Sequence, residues 1–249
     1  MTALAALLAD LEAEQRELQA VVAHIDADAW LRPTPAWGWD VRDTIAHLAD
    51  TDEMAVDTVH DGPDAINARA ARAASGEDVT YRGVLRGRRV PGADVAAWWA
   101  GASKRVREEL AGVPEDRRLA WGIGMRPPSL VTARLMEVWA HGLDVRTALG
   151  VPAVDTDRLA HIAWLATRAL PYAYSVAGRE MPPAPLRVDL TLPSGATWSS
   201  GPPGAADRIT GSAGEYCRVF VHRLHPADTS LVVEGDAARS AIGVARAFL

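Results

Sequence analysis

Cysteine is almost absent: Cys217 is the single thiol in 249 residues. A lone cysteine excludes an intrachain disulfide and any metal site assembled from several thiolates. No apolar run approaches the ~18 residues of a membrane span. No stripe of Lys and Arg interleaved with aromatics is present, and the net charge of −6 argues against a nucleic-acid surface. The opening "MTALAALLADLEAEQRELQA" lacks a basic leader and reaches Asp10 early, so it reads as an amphipathic helix and not a secretory signal. A cytoplasmic protein without membrane or nucleic-acid partners is the expectation. Internal repeats and low-complexity tracts are also missing.

What is present is apolar material, 49% of the chain, enough for one large domain or two modest ones. Phenylalanine occurs twice but tryptophan nine times. Tryptophan is common around pockets. High-GC codon usage, which also accounts for the excess of Ala and Arg, is the alternative reading.

Leu4, Leu7, Leu8, Leu11, Leu18, Val21, Val22 and Ile25 recur at helical spacing over 3–26. "RPTPAWGW" (32–39) reads as a loop. Asp40 then stands where a helix N-cap is needed, with Asp43 three residues on, and the pattern continues to about His60. Residues 61–90 are polar and rich in Arg and Ala, with no clear period. A third helix spans 91–114, between Pro91-Gly92 and Gly112-x-Pro114. A loop covers 121–129, a fourth helix 130–149, and a fifth 155–176 with Asp155 as its N-cap. From Pro182 the composition changes to a proline linker and an alternating strand (Leu186, Val188, Leu190, Leu192). A turn at Pro193-Ser194-Gly195, a second strand, and two further strand–helix pairs follow. The fold class is thus α followed by α/β, with a helical domain at 1–180 and a small α/β domain at 184–249.

One stretch, "MEVWAHGLDV" (136–145), sets Glu137 and His141 four apart among apolar residues. At that spacing both side chains leave one face of a helix and could ligate one ion. His47, between Ile45, Ala46 and Leu48 in the second helix, could supply a third ligand. Two histidines and a carboxylate with an open position match catalytic zinc and non-haem iron sites. Spacing alone also fits a surface Glu–His contact and a satisfied core histidine.

"TPAWGWDVRDTIAHLADTDEMAV" and "RLMEVWAHGLDVRTALG" together resemble the DinB-like four-helix bundles. They are closest to the branch typified by mycothiol-dependent maleylpyruvate isomerase. The resemblance implies an antiparallel four-helix bundle followed by a small sterol-carrier-like α/β domain. It implies His47, Glu137 and His141 as ligands of a divalent metal, most readily Zn2+. It also implies mycothiol as a thiol cofactor. That thiolate would add to a cis double bond conjugated with a carbonyl, permit rotation, and leave. The expected activity is therefore a metal-dependent isomerase or thiol S-transferase acting on a small carbonyl- or carboxylate-bearing substrate, with the oligomeric state left open.

Other residues carry weaker signals. Asp50 and Asp144, each one turn beyond a histidine, could orient an imidazole or be solvated acids. Arg126 and Arg223 could clamp a substrate carboxylate, or be surface residues. Trp37, Trp39 and Trp139 could line a cavity or pack a core. Cys217 reads as structural, and His161, His222 and His225 have no assigned role. The loop 121–129 and the Arg-rich insert 67–90 depart from the isomerase pattern and leave substrate and thiol open. Two further readings stand beside the first: a thiol-independent metal-assisted hydrolase, lyase or cyclase, as in natural-product tailoring, and a non-catalytic metal- or ligand-binding protein.

Overall fold

The computed structural model describes residues 3–71, 76–122 and 124–247; for 65, 66, 69, 70 and 76–80 the backbone alone is described. Part of the insert 67–90 (72–75) and one residue of the 121–129 loop (123) lie outside the described residues. The chain divides into two compact units, Met1–Ala153 and Val154–Leu249.

In the first unit, the helices are α1 (Ala3–Val22), α2 (Val41–His60), α3 (Pro63–Ala70), α4 (Gly76–Gly87), α5 (Gly92–Ala111) and α6 (Pro127–Leu149). Four of them close a ring: α1 packs on α5 and α6, and α2 packs on the same two. Leu4, Leu7, Leu11, Leu18 and Val22 form the inward stripe of α1, and Ile45, Leu48, Leu130, Leu135 and Val138 are fully enclosed on α2 and α6. Contact pairs set the directions. Gln19 meets Ser103 and Gln15 meets Arg107, so α1 and α5 are antiparallel. Glu53 meets Trp98 and His60 meets Glu109, so α2 and α5 are parallel. His47 faces Glu137 while Asp52 faces Arg134, so α2 and α6 are antiparallel. The order is up-down-down-up, and it needs a crossover between α2 and α5. The insert supplies it as α3 and α4. Helix α4 lies directly on α2: a Cβ added at Gly83 or Gly87 would come within 2.5 Å of the Cβ of Asp50 or Ala46, so these glycines permit the close approach.

The helix ends follow local chemistry. Asp40 caps α2 in a full capping box: the Asp43 N–H donates to Asp40 Oδ1 at 2.7 Å, and the Asp40 N–H donates to Asp43 Oδ2 at 3.3 Å. Helix α6 begins at Pro127, earlier than the expected 130, because a proline at the first position loses no helical hydrogen bond. It ends at Gly150 with φ 68°, whose N–H reaches back to Thr147.

The second unit contains α7 (Leu159–Arg168), α8 (Leu170–Val176), β1 (Leu186–Thr191), β2 (Thr197–Ser200), β3 (Asp207–Ser212), α9 (Ala213–Phe220), β4 (Val232–Glu234) and α10 (Asp236–Gly243). The sheet order is β2-β1-β3-β4, with β1 and β3 parallel and both outer pairings antiparallel. Val188 and Ile209 are in register and wholly buried, beside Leu190 and beneath α9. The expected Pro193-Ser194-Gly195 turn closes the β1–β2 hairpin, with Leu192 and Ala196 bonded across it.

Three sequence expectations shift here. The fifth helix is not continuous over 155–176: it breaks at Ala169, just before Pro171, whose missing N–H cannot serve a helix interior. Asp155 is not its N-cap. It binds Arg218 of α9 through two bonds of 2.6 and 3.0 Å, and the helix starts at Leu159. The compact unit also begins near residue 154, whereas composition suggests 180. The composition change marks the linker before β1, but α7 already packs on α9, with Thr167 Oγ1 3.1 Å from the Tyr216 hydroxyl.

Candidate metal centre

His47 lies two turns into α2, and Glu137 and His141 lie on successive turns of α6. The antiparallel contact of the two helices turns all three toward one another. His47 Nε2 is 3.5 Å and His141 Nε2 is 3.4 Å from the same Glu137 oxygen, Oε2. The three ligand atoms lie within 4.8 Å of one another. These separations are long for hydrogen bonds. A tetrahedral ion with bonds of about 2.0–2.1 Å, however, sets neighbouring ligand atoms about 3.3–3.4 Å apart. The donor set and the two separations from Glu137 therefore fit a divalent ion.

The electrostatics agree. Burial pushes the Glu137 carboxyl up, but the facing imidazoles of His141 and His47 outweigh it and hold the group well below the usual carboxylate range. Burial lowers the His47 imidazole, and its Nδ1 is enclosed with no hydrogen-bond partner among the described residues. Burial also works against the charged form of His141, yet Asp144 and Glu137 raise it above its ordinary value. His141 Nδ1 is 3.1 Å from Asp144 Oδ2, so Asp144 fixes the ring with Nε2 facing the cluster. Two carboxylates against two imidazoles make a locus that favours a cation.

Trp39 covers the two rings. Its indole is centred 4.9 Å from His47 and 5.8 Å from His141, nearly parallel to the latter at 27°. The other tryptophans differ: Trp139 is a core residue, and Trp37 is 98% exposed at the loop tip. Asp50 is buried where α4 crosses α2.

Beneath the cluster lies a network that sequence reasoning missed. Arg134 Nε donates to Asp52 Oδ1 at 2.8 Å, and its Nη2 donates to Thr51 Oγ1 at 2.8 Å. Thr51 Oγ1 in turn donates to the His47 carbonyl at 2.8 Å. The available signal was an arginine three residues before Glu137 within an apolar run, hence on the same helix face.

The two candidate arginines lie on other elements, one at the start of α6 and one in the second unit. Arg126 is exposed at the start of α6, eleven residues before Glu137, or about 16 Å along the axis. Arg223 belongs to the second unit, where its Nη1 donates to the Val221 carbonyl at 2.6 Å. Cys217 is fully buried against the Leu159 carbonyl, and burial pushes its thiol far up. His222 Nε2 is 2.7 Å from the Ala245 carbonyl, His225 accepts from the Ala227 N–H, and neither joins a metal-type cluster among the described residues.

Fold and cluster together define a class: a helical bundle that gathers two histidines and a glutamate between two of its helices, carried ahead of a small α/β unit. The chain belongs to the mycothiol maleylpyruvate isomerase N-terminal domain family, whose model matches residues 11–146. Two uncharacterized proteins, from two strains of Mycobacterium tuberculosis, are each 41% identical over 242 residues, covering 97% of this chain and 94% of theirs. Among solved structures, the mycothiol-dependent maleylpyruvate isomerase superposes with a TM-score of 0.61 at 16% identity, over 93% of each chain. A histidine-to-alanine mutant of that enzyme gives 0.59 at 16% identity, over 90% of each. At that identity these structures speak to the fold alone. No helix among the described residues is long and apolar enough to cross a membrane.

Proposed function

We propose that this chain is a divalent-metal-dependent enzyme of the thiol-dependent isomerase or S-transferase type. Its substrate is a small carbonyl- or carboxylate-bearing molecule, and mycothiol is its thiol. The observation that carries the reading is the convergence of His47 Nε2 and His141 Nε2 on Glu137 Oε2, at separations suited to a tetrahedral ion. Zinc is the proposed ion, since two imidazoles and one carboxylate leave a position for an exogenous ligand.

When bound, such an ion would lower the pKa of a thiol or water and polarise a carbonyl. The chain's own residues do the rest. Glu137 stays ionised and brings the formal charge of a divalent site to +1, which favours an anionic thiol or carboxylate. Asp144 keeps His141 in the tautomer that presents Nε2. Trp39 closes one side of the histidines with an apolar wall, where reduced water strengthens charge interactions. The protein's one cysteine is sealed in the second unit, so the nucleophilic sulfur must come from a small molecule.

The test uses purified protein stripped of metal and reloaded with zinc, supplied with maleylpyruvate, the substrate in the name of the solved isomerase, and mycothiol. Isomerisation that requires both metal and thiol supports the reading. Turnover of other substrates with metal but no thiol would favour a hydrolase or lyase instead. A protein that takes up no metal at all refutes both.

A further inference from the structure

The insert between α2 and α5 does more than return the chain across the bundle. Just beyond α4 it places Arg88, whose guanidinium reaches three separate groups. Nε donates to both Asp43 oxygens at 3.0 and 3.2 Å, and Nη2 donates to Asp43 Oδ2 at 2.6 Å. The same Nη2 donates to the Gly38 carbonyl at 3.1 Å, and Nη1 donates to the Tyr81 hydroxyl at 2.8 Å. Asp43 is the capping-box residue of α2 and is fully buried. Gly38 precedes Trp39, the ring that lies over His47 and His141.

The loop has its own scaffold. Thr34 donates to the Trp39 carbonyl at 2.9 Å, Trp39 N–H donates to Ala36 O at 3.0 Å, and Val41 N–H donates to Arg32 O at 3.1 Å. Those bonds close the loop on itself. Across the loop, Arg88 ties the Gly38 carbonyl to the insert through a charge-assisted bond.

We propose that Arg88 is a positioning residue that latches the 33–40 loop to the start of α2, and so holds the Trp39 indole as a cover over the His47–Glu137–His141 centre. The proposal rests on the metal-centre reading above for its consequence, but not for the latch itself. The fork geometry of arginine is required: a lysine ammonium is a single point and can keep the Asp43 ion pair, but it cannot also reach Gly38 O. Arg88→Lys therefore separates the structural task of pairing buried Asp43 from the latching task.

Three proteins test this: the full chain, Arg88→Lys and Trp39→Ala. Amide hydrogen exchange of residues 34–41 is read first, without metal. The latch predicts exchange at Trp39 and Val41 faster in Arg88→Lys by about tenfold or more, with the α2 interior unchanged. Cobalt is then loaded as a spectroscopic probe. Its visible absorption weakens when extra water raises the coordination number, and its loss to a chelator reports the cover. Both variants should show weaker absorption and faster release than the unmodified chain. Unchanged exchange in Arg88→Lys overturns the latch. Faster exchange with an unchanged cobalt spectrum and release rate in both variants overturns the cover. If the unmodified chain binds no cobalt, the metal-centre reading and the cover role fail together, while the exchange comparison still decides the latch.

Discussion

Arg134 and Asp52 form a salt bridge of 2.8 Å inside the bundle, with side chains 1% and 0% exposed. Burial pushes the Asp52 carboxyl up against the pull of Arg134. Such a pair is weak evidence for net stability, because removing both charges from water costs about as much as their attraction returns. Its value is in register. It joins α2 to α6 one turn from the His47–Glu137–His141 cluster, and through Thr51 it holds the backbone of His47. Breaking it from one side leaves a buried charge without its partner. Arg134→Met should therefore destabilise by about 3–5 kcal/mol, and Asp52→Leu by a similar amount. The double variant should recover much of that loss. Denaturant unfolding of the four proteins measures the coupling, and additive losses would show that the pair is not one unit.

Removing a ligand should remove the ion. His47→Ala and His141→Ala are expected to purify with metal content far below one per chain. Both histidines lie at helix positions that tolerate alanine, so the fold should persist. Elemental analysis beside circular dichroism reads both quantities. Full stoichiometry in both variants would refute the assignment.

Asp144 tests orientation without touching a ligand. Its carboxylate fixes His141 through Nδ1. Asp144→Asn keeps the shape but loses the charge that supports the imidazole, so metal affinity should fall by about 10–100-fold. Competition with a chromophoric chelator measures it. An unchanged affinity would mean that His141 is held by packing alone.

The His47–Glu137–His141 cluster was legible in the sequence because such residues are few, polar and set within apolar helical runs. Glu137 and His141 announce a shared face by spacing, and the motif around His47 supplies the third residue. The N-cap at Asp40 was legible for the same reason, being local. Arg134–Asp52 and Arg88–Gly38 were not: each depends on which helices become neighbours, 82 residues apart in one case and 50 in the other. Helical periodicity says which face is buried and does not say against what. The up-down-down-up order was hidden for that reason too, since the weak pattern of 61–90 concealed the crossover that makes α2 and α5 parallel.

Cys217 offers a chemical check on the thiol assignment. Its sulfur is enclosed between α9 and the Leu159 carbonyl, and burial raises its pKa far above that of a free thiol. Reaction with a thiol reagent needs the thiolate, so it should be very slow in the native protein at neutral pH and rapid after denaturation. Fast native modification would reopen the possibility that the chain carries its own nucleophile.

The unit boundary makes a prediction that composition alone would get backwards. A truncation placed at the proline linker, keeping 1–181, retains α7 but removes α9. Leu159, Ile162, Ala163 and Ala166 on α7 are nearly or fully buried in the second unit, where α7 packs on α9. Removing α9 strips away packing that this apolar row relies on, a liability for aggregation. A truncation at the contact boundary, keeping 1–153, removes α7 with its partner. It also retains His47, Glu137, His141, Asp144, Trp39 and Arg88. The 1–153 protein should therefore be the more soluble of the two, with a cooperative thermal transition and one divalent ion per chain. Size-exclusion chromatography and elemental analysis of the pair decide the matter. A well-behaved 1–181 beside an insoluble 1–153 would show that α7 and α8 belong with the bundle after all.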